Sequence, residues 1–253
     1  MNTSKTPFDR FRWLEDPIDF PYYSGSPVTL SGRQWIFLMC TVLLGFLALV
    51  LPSPFTPSIG SQLLSTALFV AIPLIGLAIV APKHWTTLFR KISLRDIKLI
   101  IGFWLINVLA SIIVGYAVLK LYGATPNPIT SNIAQLSDSE RVQLFARVIP
   151  QLLGEELLTI LPFLAILYGL HSRLGFSRKR AVVFAWLASS ALFAAAHLPT
   201  YNWNFVQCFI VIGTARLALT LPFIKTKNIW VSTGAHILTD WGYLGVGLAT
   251  AVQ

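Results

Sequence analysis

The chain has 253 residues, 55% of them hydrophobic and only 11% charged, with a mean hydropathy of +0.69. Soluble globular domains carry about 25% charged residues, so the composition excludes a soluble fold and predicts an all-α, polytopic membrane helix bundle. The formal charge of +9 does not point to a nucleic-acid partner, because the basic residues cluster between apolar runs, where they report topology.

Residues 1–33 mix Phe11, Trp13, Phe20, Tyr22 and Tyr23 with balanced charges. They are expected to form a cytoplasmic or interfacial segment without regular helix. The first apolar run begins only after it, so no cleavable signal peptide is expected and the first span should persist in the mature protein. Seven apolar segments follow, at about 34–51, 61–81, 98–121, 145–170, 181–198, 203–224 and 229–250. Each approaches the roughly 20 residues needed to cross about 30 Å of hydrocarbon. They predict about seven (seven to eight) transmembrane helices in a single domain, 34–253. Ser93-Leu94-Arg95-Asp96 reads as a capping box opening the third helix. The connection around Pro126, Asn127 and Pro128 reads as a loop.

Every second loop is basic: Lys83, Arg90, Lys91, Arg95 and Lys98; then Arg173, Arg178, Lys179 and Arg180; then Lys225 and Lys227. By the positive-inside rule the amino terminus is cytoplasmic. Cys40 and Cys208 lie in apolar segments without CxxC or Cys/His spacing and read as small core hydrophobes.

Ionisable residues well inside apolar segments are Glu155, Glu156, His197, Arg216, His236 and Asp240. Charge at such depth costs at least about 2.5–3.5 kcal/mol per ion, so these residues are expected to be paired, hydrated or used. All lie on the C-terminal four helices. Pro150 and Pro162 bracket the Glu pair, and a kinked helix beside a cavity is expected there. His236 and Asp240 are four apart and share a helix face, as do Phe193 and His197. Glu155 and Glu156 lie about 100° apart, so one can face a common centre while the other supports it.

A carboxylate, two imidazoles and a further polar residue in a membrane cavity suit activation of water for attack on a carbonyl. Zinc held by Glu155, His197 and His236 is the competing chemistry, although no HExxH is present and the two His come from different segments. A structural ion pair, an interfacial histidine or a helix–helix hydrogen bond would explain each feature singly, and a proton-relay transporter would explain the Glu pair.

Three motifs, Glu155-Glu156-Leu157-Leu158-Thr159-Ile160, Phe193-Ala194-Ala195-Ala196-His197 and His236-Ile237-Leu238-Thr239-Asp240, resemble in order the EExxxR, FxxxH and Hxxx(N/D) pattern of the CPBP family of intramembrane proteases (CAAX proteases, or Abi proteins). The resemblant core spans about 145–250. The resemblance implies that Glu155 and His197 activate water, that His236 and Asp240 support the oxyanion, and that Glu156 is auxiliary. It further implies a membrane-associated peptide or protein substrate within the lipid bilayer and a multi-pass location, by resemblance in a bacterial plasma membrane. Roles there would include bacteriocin maturation, self-immunity or peptide-signal processing. No cofactor is expected in this reading.

Two positions depart from the pattern. Ile160 stands where the pattern has Arg, and Arg216 is expected to pair instead with Glu156 or Asp240. Asp240 is a poorer oxyanion donor than Asn. Without the Arg, a non-catalytic scaffold or bacteriocin immunity protein that binds a protein partner is the alternative function. On straight helices His197 and His236 fall at different depths, so tilt or a broken helix is expected where they meet.

Overall fold

A computed structural model describes residues 8–51 and 59–251; residues 1–7 of the N-terminal segment and 252–253 of the predicted membrane domain lie outside the described residues. Eight α-helices occur among the described residues: α1 (Gly32–Val50), α2 (Ile59–Val80), α3 (Leu94–Tyr122), α4 (Pro128–Asn132), α5 (Asp138–Leu167), α6 (Arg178–Ala196), α7 (Gly213–Thr226) and α8 (Ile229–Ala251). No sheet is formed among them; Tyr22 and Thr29 make one isolated bridge. Six helical stretches are long and apolar enough to cross a membrane: Gly32–Val50, Gly60–Val80, Leu94–Tyr122, Asp138–Arg173, Arg178–Ala196 and Gln207–Thr226. The seventh predicted crossing corresponds to α8, whose 23 residues would give about 34 Å at 1.5 Å per residue, but which is not apolar enough to count among the six. This is a multi-pass membrane protein.

Helix starts follow local chemistry. Ser31 with Gln34, Ser93 with Asp96 and Ser137 with Glu140 each form a complete capping box, opening α1, α3 and α5. The connection predicted as loop holds α4 instead: the Asn127 side chain caps Ile129 N–H and Pro128 occupies the first turn, a favourable helix start. Pro150 and Pro162 both lie inside one continuous α5, so the expected interruption is not at the prolines. Irregular turns fall elsewhere: π-helical turns span Tyr168–Arg173 after α5 and Gln207–Ile212 before α7. The second shifts the register of α7, which carries Arg216, one way a π-turn re-aims a functional side chain.

Two glycines allow close helix approach. A Cβ on Gly154 of α5 would collide with the Phe69 ring of α2, and one on Gly234 of α8 would stand 2.8 Å from Ile100 Cδ1 of α3. Gly154 thus brings α2 against the turn that begins the Glu pair.

The N-terminal segment is pulled into the protein. Phe20, Tyr22, Tyr23 and Leu30 are buried in the main core, Phe20 against Phe163 and Phe223 at ring separations of 5.2 and 6.0 Å. Buried charge anchors it. Arg178, at the start of α6, donates to both Glu15 carboxylate oxygens at 2.9 and 2.6 Å and to Asp19 Oδ1 at 3.0 Å. Lys227 Nζ, in the α7–α8 turn, reaches Glu15 Oε2 at 2.8 Å. Arg95, near the start of α3, grips Asp16 with two bonds at 2.9 and 2.6 Å. The strap therefore lies on the same face as all three basic loops and neutralises part of their charge. Both cations stack over Phe20, at 5.1 Å for Arg178 and 4.4 Å for Lys227.

Burial raises the Glu15 carboxyl, but Arg178 and Lys227 outweigh it and hold its pKa below the usual 4.5. Burial brings Lys227 down to about 8, with Glu15 opposing. A depressed carboxylate contributes stability that is complete above its unfolded pKa and is lost as pH falls through the folded one. Glu15→Ala leaves two buried cations without their shared partner and is expected to cost roughly 3–5 kcal/mol, read as a lower Tm and faster proteolysis of the strap. On acidification below about pH 4.5, the Tm of the wild type should fall more than that of Glu15→Gln; parallel curves would contradict the assignment.

Candidate active site

Glu155 and Glu156 sit mid-α5, and the helix turn separates them into two environments. Glu156 is fully buried, with 0% of its side chain exposed, and faces Arg216 of α7, also 0% exposed. The guanidinium makes a two-bond fork to the carboxylate: Nη1 to Oε1 at 2.7 Å and Nη2 to Oε2 at 2.9 Å. Its Nε donates to Thr220 Oγ1 at 3.2 Å, and its Cζ lies 5.0 Å from the centre of the Phe193 ring of α6. Planar pairing of this kind is what an arginine offers a buried carboxylate. Of the two partners expected for Arg216, it takes Glu156. Ile160, at the place where the motif pattern has its arginine, is a fully buried core residue.

Glu156 also accepts a hydrogen bond from His236 of α8, with Nδ1 and Oε1 at 3.0 Å. A carboxylate only accepts, so Nδ1 carries the proton and Nε2 is the nitrogen left to the site. It lies 3.8 Å from Glu155 Oε2 and 3.8 Å from Asp240 Oδ1, distances that leave room between the groups rather than making direct hydrogen bonds.

Among the described residues Glu155 has no arginine or lysine paired to it; its charged neighbour is His236, at 3.8 Å. Its side chain is 13% exposed, and Oε1 accepts from Gln151 Nε2 one turn earlier, at 3.2 Å. His197 ends α6 as its C-cap. Its Nδ1 lies 2.9 Å from the Phe193 carbonyl, which can only accept, so Nε2 of His197 carries the free lone pair. The Phe193 ring packs between the two histidines, 4.5 Å from His197 and 6.3 Å from His236.

Glu155, Phe193, His197, Arg216, His236 and Asp240 line one cavity of about 310 Å³. The difference in depth expected for His197 and His236 is thus overcome, and the bundle is irregular beside them: α6 ends at Ala196, a short 3₁₀ turn follows at Pro199–Tyr201, and the π-turn precedes α7. Neutral polar residues also line the cavity, among them Gln151, Asn107 of α3 and Thr239 of α8, none of which depth of charge marks in the sequence. Gln151 lies one helical turn before Glu155, a spacing visible in the sequence.

The zinc set Glu155, His197 and His236 does not come together as a ligand group. Among the described residues no three His, Cys, Asp or Glu side chains are grouped closely enough to hold a metal ion. Cys40 and Cys208 are both free thiols; Cys208 is buried as expected of a core hydrophobe, whereas Cys40 is exposed on α1 and is not a core residue.

Fold and site together define a multi-pass helical membrane protein with a charged, enclosed site between its C-terminal helices. Residues 138–242, from the start of α5 into α8, match the family model described as type II CAAX prenyl endopeptidase Rce1-like, and the chain carries a domain of that CPBP/Abi family. All seven residues singled out from the sequence, Arg216 included, fall inside the matched segment; Asn107 falls outside it. No curated protein and no solved structure matches the chain. The match suggests an intramembrane protease of the CAAX type.

Removing Arg216 strands a fully buried carboxylate. Arg216→Ala should therefore cost roughly 3–5 kcal/mol, while the apolar pair Glu156→Leu with Arg216→Met should recover most of that loss. A thermal-melt cycle over the two single variants and the double variant checks this: additive losses would show that the pair is not coupled.

Proposed function

We propose that the protein is an intramembrane endopeptidase that hydrolyses a peptide bond with water activated by Glu155 and His197. One observation carries the reading: of the two adjacent glutamates, Glu156 is consumed by the two-bond fork of Arg216 and by His236, whereas Glu155 faces the cavity with no arginine or lysine paired to it among the described residues, His236 Nε2 standing 3.8 Å from its Oε2. A carboxylate so placed accepts a proton from water, and the free Nε2 of His197 accepts the second water hydrogen and aligns it. The hydroxide formed attacks the carbonyl carbon. His236, in its imidazolium form, donates Nε2–H to the developing oxyanion, and the Glu156 carboxylate on Nδ1 holds the ring in position. The proton taken by Glu155 then passes to the leaving nitrogen as the C–N bond breaks.

Asp240 lies within 3.8 Å of the same Nε2 and is assigned to orienting His236 and the oxyanion pocket. Phe193 and Arg216 support the arrangement from below. The substrate is a membrane-associated peptide or protein whose scissile segment enters the bilayer; the bacterial settings implied by the resemblance, bacteriocin maturation and peptide-signal processing, supply such molecules. The scaffold alternative drew on the missing motif arginine. Arg216 in contact with Glu156 favours the catalytic reading, since a guanidinium is present although it comes from another helix.

Purified protein should cleave apolar peptides drawn from a set with and without a prenylated cysteine at the CAAX position. Glu155→Ala and His197→Ala should each lose at least about 100-fold in kcat/KM. Activity should survive chelator treatment. Equal product from the wild type and both variants would overturn the assignment.

A further inference from the structure

The cavity takes part of its wall from α3, outside the family-matched segment. Asn107 is fully buried there. Its Nδ2 donates to Thr239 Oγ1 at 3.1 Å. Because the Thr239 hydroxyl gives its own proton to the Ala235 carbonyl at 2.9 Å, it can only accept from Asn107, which fixes the amide with nitrogen toward α8 and oxygen on the other arm. That oxygen, Oδ1, has no hydrogen-bond partner in the protein. Buried polar atoms are rarely left unpaired, and each exception calls for an explanation. Among the described residues the other such side-chain atoms belong to Trp35, Trp104, Ser111 and Ser190, none of which lines this cavity.

The position is informative. Thr239 is three residues from His236 and adjacent to Asp240, so the amide is fastened to the part of α8 that carries the site. A peptide entering a cavity inside the bilayer must have its backbone N–H groups paired with protein, since no bulk water is there to do so. The acidic and imidazole groups already described are engaged in the chemistry or in holding one another. Asn107 brings an uncharged acceptor that none of them uses.

Resting on the hydrolytic reading of this cavity, we infer that Asn107 is a substrate-binding residue whose Oδ1 accepts a hydrogen bond from a backbone N–H of the bound peptide. It selects for an unmodified peptide backbone, against an N-methylated one, at a single position near the scissile bond. Its apolar replacement removes an unpaired buried acceptor, so Asn107→Leu should fold at least as stably as the wild type while losing substrate affinity.

The probe is a set of quenched-fluorescent apolar decapeptides, with and without a prenylated cysteine, in native form and with N-methyl groups introduced one position at a time. Asn107→Ala should lower kcat/KM about tenfold, chiefly through KM, as expected for one lost hydrogen bond. One N-methyl position should cost the wild type a similar factor and cost Asn107→Ala nothing further. An unchanged kcat/KM in Asn107→Ala, N-methyl effects identical in both proteins, or a Tm loss of several degrees in Asn107→Leu with turnover intact would each overturn the inference in favour of a packing role. If the wild type cleaves none of the peptides, the hydrolytic reading falls, and the binding claim is read from the Tm rise that the peptides produce. A rise in the wild type that is reduced in Asn107→Ala supports it; equal or absent rises in both proteins overturn it.

Discussion

The ion pair between Glu156 and Arg216 is the contact on which the rest of the site depends. Neither partner touches solvent, so each would carry a large desolvation cost without the other. Their two-bond fork ties α5 to α7, and the same carboxylate takes the Nδ1 proton of His236 and so orients α8. Phe193 under the guanidinium extends the cluster to α6. Four helices thus meet at one buried charge, and the neighbouring Glu155 is left facing the cavity because the helix turns about 100° per residue. Adjacent glutamates have different surroundings for a geometric reason.

A second buried charge network lies at the ends of the helices. Glu15 gathers Arg178 and Lys227 much as Glu156 gathers Arg216 and His236, in each case with an aromatic ring beside the cations. The two networks share α6 and α7, whose ends and middles are fastened separately. This arrangement holds the cavity walls in register from the strap upward and accounts for the burial of so many aromatic residues in a segment whose described residues, 8–31, form no helix.

Much of this was legible in the sequence. The seven apolar runs correspond to α1–α3 and α5–α8, the Ser93 capping box opens α3, and five of the six ionisable residues picked out by their depth line one cavity, with Glu156 behind them on Arg216 and His236, because charge in an apolar helix is too costly to be scattered at random. Other features needed three dimensions. The partner of Arg216 lies 60 residues away on another helix, and no local spacing chooses between Glu156 and Asp240. Asn107 and Thr239 are neutral, so a search for charge passes over them; their pairing spans 132 residues. Phe20, Tyr22 and Tyr23 suit an interface by composition, but they have a protein core within reach, and a preference for the headgroup layer gives way to burial. Asn127-Pro128 carried a readable helix-start signal, which the surrounding prolines obscured.

The central claim is a division of labour: Glu156 builds the site and Glu155 performs the chemistry. The most direct measurement places Glu155→Gln and Glu156→Gln side by side, reading peptide turnover and Tm on the same preparations. The account predicts that Glu155→Gln abolishes turnover with little change in Tm, whereas Glu156→Gln lowers Tm markedly. The reverse pattern, or full turnover in Glu155→Gln, would contradict it.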